Sequence, residues 1–277
     1  TSIITFPILG WVAADKNGAV STGPPSNRWN ELVFKKESPF TLNPDLTDGK
    51  VYLDEGFNFI LHHFGNASTS TGVKYIALDN EPGLWNSTHP LLQPNSVTIS
   101  DYLKKVIEAA KVIKTMDPNV KIILGEFANI NIYDFNNTSD WSLLKKDYDW
   151  FPSLLLDTLK KESDKFGMPL VDIFSFHFYP QHKIDNNGEF SSNGSVVRGS
   201  LSTEEHIRET RMDFSRSLWD TTYIEPSWLT KSKLSDEPNK ILLRLQKSID
   251  TYFPSIEIMI GEYDFGFDTD IQLQGMP

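Results

Sequence analysis

The chain contains no cysteine. That excludes disulfides, a thiolate nucleophile and any sulfur-based zinc site, while leaving the cellular compartment open. Nor is there an apolar run near the roughly 18 residues that a membrane helix requires. Basic residues are the minority, 26 Lys and Arg against 37 Asp and Glu, for a net charge of −11. Such a balance repels phosphate and argues against a nucleic-acid partner; it suits a neutral substrate without identifying one. The chain opens Thr-Ser-Ile-Ile-Thr-Phe, with no Met and no basic leader. The expectation is that a signal peptide has been removed, or that the numbering starts inside a longer precursor.

What is present describes a globular α/β protein: 277 residues, 39% apolar and 23% charged, enough to bury a barrel-sized core. Apolar strands alternate with amphipathic helices. Val73–Leu78 reads as a strand, followed by a helix in DYLKKVIEAAKVIKTM with Leu103, Val106, Ile107, Ala110 and Ile113 on one face, Ser100 as its cap and Pro118 beyond. Lys121–Ala128 is the next strand, SLLLDTLKKESDKFG the next helix, closing at Gly167, and Val171–Pro180 a third strand. A capping box of Ser202 and Glu205 starts another helix. KILLRLQKSIDTYF follows as a helix, and Ile256–Tyr263 as a late strand. SIITFPILGWVAA reads as one continuous buried strand at the start.

This alternation predicts βα units around a parallel sheet. Long polar segments follow strands, about 40 residues from Asp15 to Asp54 and again in QHKIDNNGEFSSNGSVVRGS, as in a barrel with an elaborated catalytic face. The fold class expected is α/β, a (β/α)8 TIM-type barrel that is incomplete in this chain. Five strands are readable where a closed barrel has eight, and residues 264–277 are too few for another unit. With no repeat, linker or low-complexity tract, residues 1–277 form one partial barrel domain.

Each strand ends in chemistry. YIAL runs into Asp79, Asn80, Glu81 and Pro82; the next strand ends at Glu126, the third at His177 and Tyr179, the late one at Glu262 and Tyr263. In a barrel these ends converge on one face. Two opposed glutamates with aromatics and a His between them suit glycosidic bond cleavage, in which one carboxyl protonates the leaving oxygen and the other attacks the anomeric carbon.

Asn80-Glu81-Pro82 at a strand end resembles the acid/base motif of the clan A glycosidases. Together with GWVAAD, ALDNEPGLWNSTHP, FSFHFYPQ, DTTYIEPSW and IGEYDFG, in that order, it makes the chain resemble glycoside hydrolase family 44 from about Leu9 to Gly266. That family comprises endo-acting β-glucanases and xyloglucanases, mostly bacterial, built of a barrel and a small β-sandwich. The resemblance implies that Glu81 is the acid/base, that Glu262 is the nucleophile, that Asn80 holds the sugar 2-hydroxyl, and that the chain spans roughly barrel strands three to seven. It also implies a secreted protein.

His177 and Tyr179, two apart on a strand, point the same way and would orient the nucleophile. Trp85 and Trp228, beside the two Glu-Pro pairs, are candidates to stack on sugar rings, Trp85 first; Trp11 and Trp29 flank the first long loop. Tyr263 and Glu126 are further substrate-binding candidates. Glu126 is also the rival nucleophile, whereas Glu225 in YIEPSW supports the site or its loop. No cofactor is expected. Asp264, Asp268 and Asp270 cluster without calcium-loop spacing, so a structural calcium has no motif to indicate it. Asn66, Asn86, Asn136, Asn137 and Asn193 head glycosylation sequons of the kind an Asn-rich chain produces by chance.

The function expected is a retaining endo-β-1,4-glucanase acting on cellulose-type glucans or xyloglucan. Two alternatives stay open: a non-catalytic or inactive glycan-binding fragment, and a clan A mannanase or xylanase.

Overall fold

The computed structural model describes residues 2–130, 135, 138–180, 183–184, 195–196, 212–225 and 237–263. Its centre is a parallel sheet of five strands: β1 (Ile3–Phe6), β5 (Tyr75–Leu78), β6 (Lys121–Phe127), β7 (Ile173–Phe178) and β10 (Glu257–Tyr263), side by side in that order. With helices on one face, this is the incomplete α/β barrel expected. All five C-terminal ends lie along one edge.

A small second sheet holds β2 (Trp11–Ala13), β3 (Trp29–Val33) and β4 (Lys50–Tyr52). Ahead of β10, two short antiparallel strands, β8 (Lys183–Ile184) and β9 (Ser195–Val196), pair with each other. The small sheet corrects the opening of the sequence reading: the first apolar segment is two strands, not one. Pro7 offers no N–H to a ladder, and Gly10 turns the chain with φ 119°. β1 therefore joins the parallel sheet and β2 leaves it. Nor is this segment buried throughout, since Ile3 at the edge is 48% exposed.

Helices α1 (Leu53–Phe64), α3 (Ile99–Met116), α5 (Phe151–Phe166) and α6 (Ile241–Tyr252) cover one face, α3 packing between α1 and α5, and α5 against α6. α2 (Trp85–Thr88) and α4 (Trp141–Leu144) are single turns. The cap of α3 is Thr98 rather than Ser100: the Thr98 hydroxyl accepts the Asp101 N–H, while Ser100 lies inside the helix and bonds Asp140. Such a cap stabilises by roughly 1 kcal/mol. α5 closes as read, with Gly167 in the left-handed conformation that a side chain would resist.

The period-two alternation of the strands divides their side chains between two cores. Ile76, Leu78, Ile122, Leu124, Phe174 and Phe176 face the helices, each contributing roughly 1.5–3 kcal/mol by burial. Ala77, Ile123 and Ile173, flanked by Tyr75 and Met259, form a separate cluster on the other face, the barrel interior. On β7 that interior row continues upward from Ile173 through Ser175 and His177, with Tyr179 just past the strand's end. The row starts as an apolar floor and ends as a polar mouth.

Candidate active site

The residues after β5 are held in a backbone that resists side chains. Asp79 has φ 65° and Glu81 φ 44°, both left-handed, as does Glu126 at the end of β6, φ 43°. Each costs roughly 1–3 kcal/mol, so the surroundings must over-determine them. They do. The Asp79 carboxylate accepts the N–H groups of Ile8 at 2.7 Å, Leu9 at 3.1 Å and Asn80 at 2.9 Å, while the Asp79 N–H donates to Phe6 O. Burial pushes the Asp79 carboxyl up, against these backbone donors that favour its charge. Glu81 N–H donates to Glu126 O at 2.9 Å, tying two strand ends together. A 3-10 turn at Pro82–Leu84 then leads into α2.

That turn sends Trp85 away from the cleft. Trp85 is fully buried, edge-on to Tyr102, and its indole N–H donates to Asn80 O at 3.0 Å. It therefore has no face to offer a sugar, a correction to the sequence reading. One turn of helix after Pro82 rotates it into the helix-side core, where it anchors the loop bearing Asn80 and Glu81. Asn80 itself is exposed. Trp11 and Trp29 are half-buried. Trp228, the cluster Asp264, Asp268 and Asp270, and the helix expected from Ser202 lie outside the described residues.

Glu126 reaches the interior because β6 bulges. Pairing with β7 shifts register between Leu124 and Phe127, where Gly125 (φ 100°) and Glu126 are both left-handed. A matching shift occurs on the other side of β7, between Ile260 and Glu262 in β10. Gly261 sits there, and a Cβ on it would overlap Glu126 Oε2 and approach Ser175 Oγ to 2.8 Å. Ser175 donates its hydroxyl to Glu126 Oε2 at 2.7 Å.

His177 is the hub. Its ring is wholly buried; Nδ1–H donates to Glu81 Oε1 at 2.8 Å, Nε2–H to Glu126 Oε2 at 3.2 Å, and Nδ1 lies 3.4 Å from Glu262 Oε2. Burial alone would favour the neutral ring. Hydrogen bonds to Glu126 and Glu81 and the charge of Glu262 outweigh it and push His177 up to about 9. At neutral pH the ring is then an imidazolium, with Glu126 on its Nε2 side and Glu81 and Glu262 on its Nδ1 side. Tyr179 donates its hydroxyl to Glu262 Oε2 at 2.6 Å, and its ring meets His177 edge-on. One oxygen each from Glu81 and Glu262 and a His177 nitrogen lie within 4.8 Å of one another.

The structure thus brings together Glu81, Glu262, His177, Tyr179 and Glu126, with Asn80 at the mouth and Tyr263, 48% exposed, at the end of β10. Asp79, named in the sequence only as a strand-end acid, joins them as the support of the loop, and Ser175 and Gly261 join them without having been singled out. For Ser175 a signal existed: it is two residues before His177, hence on the same face. Glu225 is buried beside Tyr223, whose hydroxyl is pushed up by burial and then by the Glu225 charge.

Residues 1–182 match the family model for glycoside hydrolase family 44. Endoglucanase A of Paenibacillus lautus is 37% identical over 273 residues, which is 98% of this chain and 38% of that protein. β-Mannanase/endoglucanase A of Caldicellulosiruptor saccharolyticus is 36% identical over 282 residues, 96% of this chain and 20% of the relative. The solved family 44 xyloglucanase of Paenibacillus polymyxa superposes with a TM-score of 0.85 at 35% identity, covering 95% of this chain and 50% of the other. The chain therefore spans half or less of the length of these relatives.

Proposed function

The chain belongs to glycoside hydrolase family 44, and from that premise we propose that it is a retaining endo-β-1,4-glucanase acting on cellulose-type glucans or xyloglucan. The observation that carries this reading is the approach of Glu81, in the loop after β5, and Glu262, on β10, with oxygens within 4.8 Å. Carboxyl groups about 5–5.5 Å apart belong to retention; inversion leaves about 6.5–9.5 Å for a water between them.

In the first step a protonated Glu81 gives its proton to the glycosidic oxygen while Glu262 bonds the anomeric carbon. In the second, Glu81 takes a proton from water, whose oxygen displaces Glu262. Tyr179 steadies the nucleophile through its hydrogen bond to Oε2. Asn80, exposed beside Glu81, holds the sugar 2-hydroxyl, a contact that strengthens in the transition state. No step calls on a cofactor. A polysaccharide substrate too large to enter a cell fits a secreted enzyme.

The test is Glu262→Ala and Glu81→Ala on carboxymethylcellulose and xyloglucan, with mannan and xylan alongside. Each variant is expected to lose at least about a hundredfold in rate. Retention of most activity by Glu262→Ala sinks the proposal, as does binding of glucan by the wild type with no new reducing ends. Mannan or xylan as the preferred substrate corrects the specificity alone.

A further inference from the structure

Glu126 is the carboxylate that the hydrolytic reaction leaves unused, yet the fold goes to unusual lengths to place it. Its own backbone is left-handed, the strand bulges to deliver it, and β10, on the far side of β7, carries a glycine where any side chain would displace it. Its side chain is only 12% exposed, and its Oε2 serves Ser175 and His177 Nε2 rather than the open cleft. On the far side of the same ring, Nδ1 faces both catalytic carboxylates, Glu81 at 2.8 Å and Glu262 at 3.4 Å.

We propose that Glu126 is a positioning residue that keeps His177 doubly protonated, so that its Nδ1–H serves as one donor shared by acid/base and nucleophile and follows the negative charge between them. This rests on the hydrolase reading and adds a role to it. Nδ1–H rests nearer Glu81 in this structure, 2.8 Å against 3.4 Å to Glu262; with substrate bound, Glu81 carries the proton and Glu262 the charge, and Nδ1–H turns to Glu262. As the glycosidic C–O bond breaks, the Glu81 proton leaves on the departing oxygen and Glu262 becomes a neutral ester. The charge is now on Glu81, and Nδ1–H is its donor. Attack by water reverses the transfer. His177 keeps both protons throughout, and the active site never holds an unpaired anion.

The groups that bear on the ring are Glu81 from the end of β5, Glu126 from β6, Glu262 from β10 and Tyr179 from its own strand. An acceptor without charge in place of Glu126 weakens the hold on the Nε2 proton. That direction agrees with the high titration of this ring.

The experiment reads His177 directly, by the ring-nitrogen chemical shifts across pH 6–10, in the wild type, Glu126→Gln and Glu126→Asp, beside the pH profile of kcat on a soluble xyloglucan. Glu126→Gln keeps size and an acceptor for Ser175; Ser175→Ala, which frees the carboxylate instead of removing it, is the second variant should Gln fold poorly. The expected result is that His177 loses its proton at least one pH unit lower in Glu126→Gln, with Asp between, and that the alkaline limb of kcat moves down with it. An unmoved ring titration overturns the proposal, and so does a lowered titration with an unmoved limb. The ring titration stands apart from activity: an inert Glu262→Ala with an unshifted ring in Glu126→Gln condemns the clamp alone, whereas a fully active Glu262→Ala condemns the hydrolase reading.

Discussion

The charged state of His177 also sets a pH dependence of folding. In the unfolded chain the ring titrates near 6.5; in the folded protein it is raised to about 9. Between those values the native state binds the extra proton, so stability falls as pH rises. The contribution is fully present below about pH 6.5 and gone above about pH 9–10. A shift of that size corresponds to roughly 3 kcal/mol. Glu262, one of the three partners, is 47% exposed, and solvent screening there trims the figure to about 2 kcal/mol. The assay is urea unfolding at closely spaced pH from 6 to 10, for the wild type and His177→Gln. The wild-type advantage over the variant is predicted to shrink by about 2 kcal/mol across that window. A constant difference between the two proteins would refute the imidazolium, and a difference that grows with pH would reverse the reasoning.

Two further substitutions probe the supports. Gly261→Ala forces Glu126 to leave Ser175 or His177, since its flexible end can move only by giving up those bonds. We expect a loss of about 1–3 kcal/mol in urea and a drop in turnover on a soluble glucan; wild-type values in both would show that the close approach is not maintained. Trp85→Phe removes the indole donor to Asn80 O and part of a buried volume, and should cost about 1–3 kcal/mol in denaturation. A stability change within about 0.5 kcal/mol would instead fit a surface tryptophan free to stack on sugar.

Much of the sheet was readable because β5, β6, β7 and β10 each carry a compact apolar run and are separated by helices with one clean apolar side. β3 and β4 were not: WNELV mixes polar and apolar letters, and KVY is too short to show a period. The split after Phe6 is written in Pro7 and Gly10, but the run of apolar letters around them masks it. Among site residues, strand-end position was enough to pick out Glu81, Glu126, His177, Tyr179 and Glu262. Position along the chain says nothing about which strand bulges. The meeting of Glu126 with Gly261 and Ser175, and of Asp79 with Ile8 and Leu9, are long-range facts carried by ordinary letters. Trp85 shows the converse error, a residue beside the chemistry in sequence that a single helical turn carries into the core.

The bond from Glu81 N to Glu126 O has a consequence for anyone rebuilding such a protein. It staples two motifs that a gene keeps far apart, so neither is a portable cassette. Transplanting the DNEP segment into another scaffold would import the acid while leaving behind the carbonyl that seats it. Recombination between relatives is therefore safest where crossover points keep both halves of this staple from the same parent.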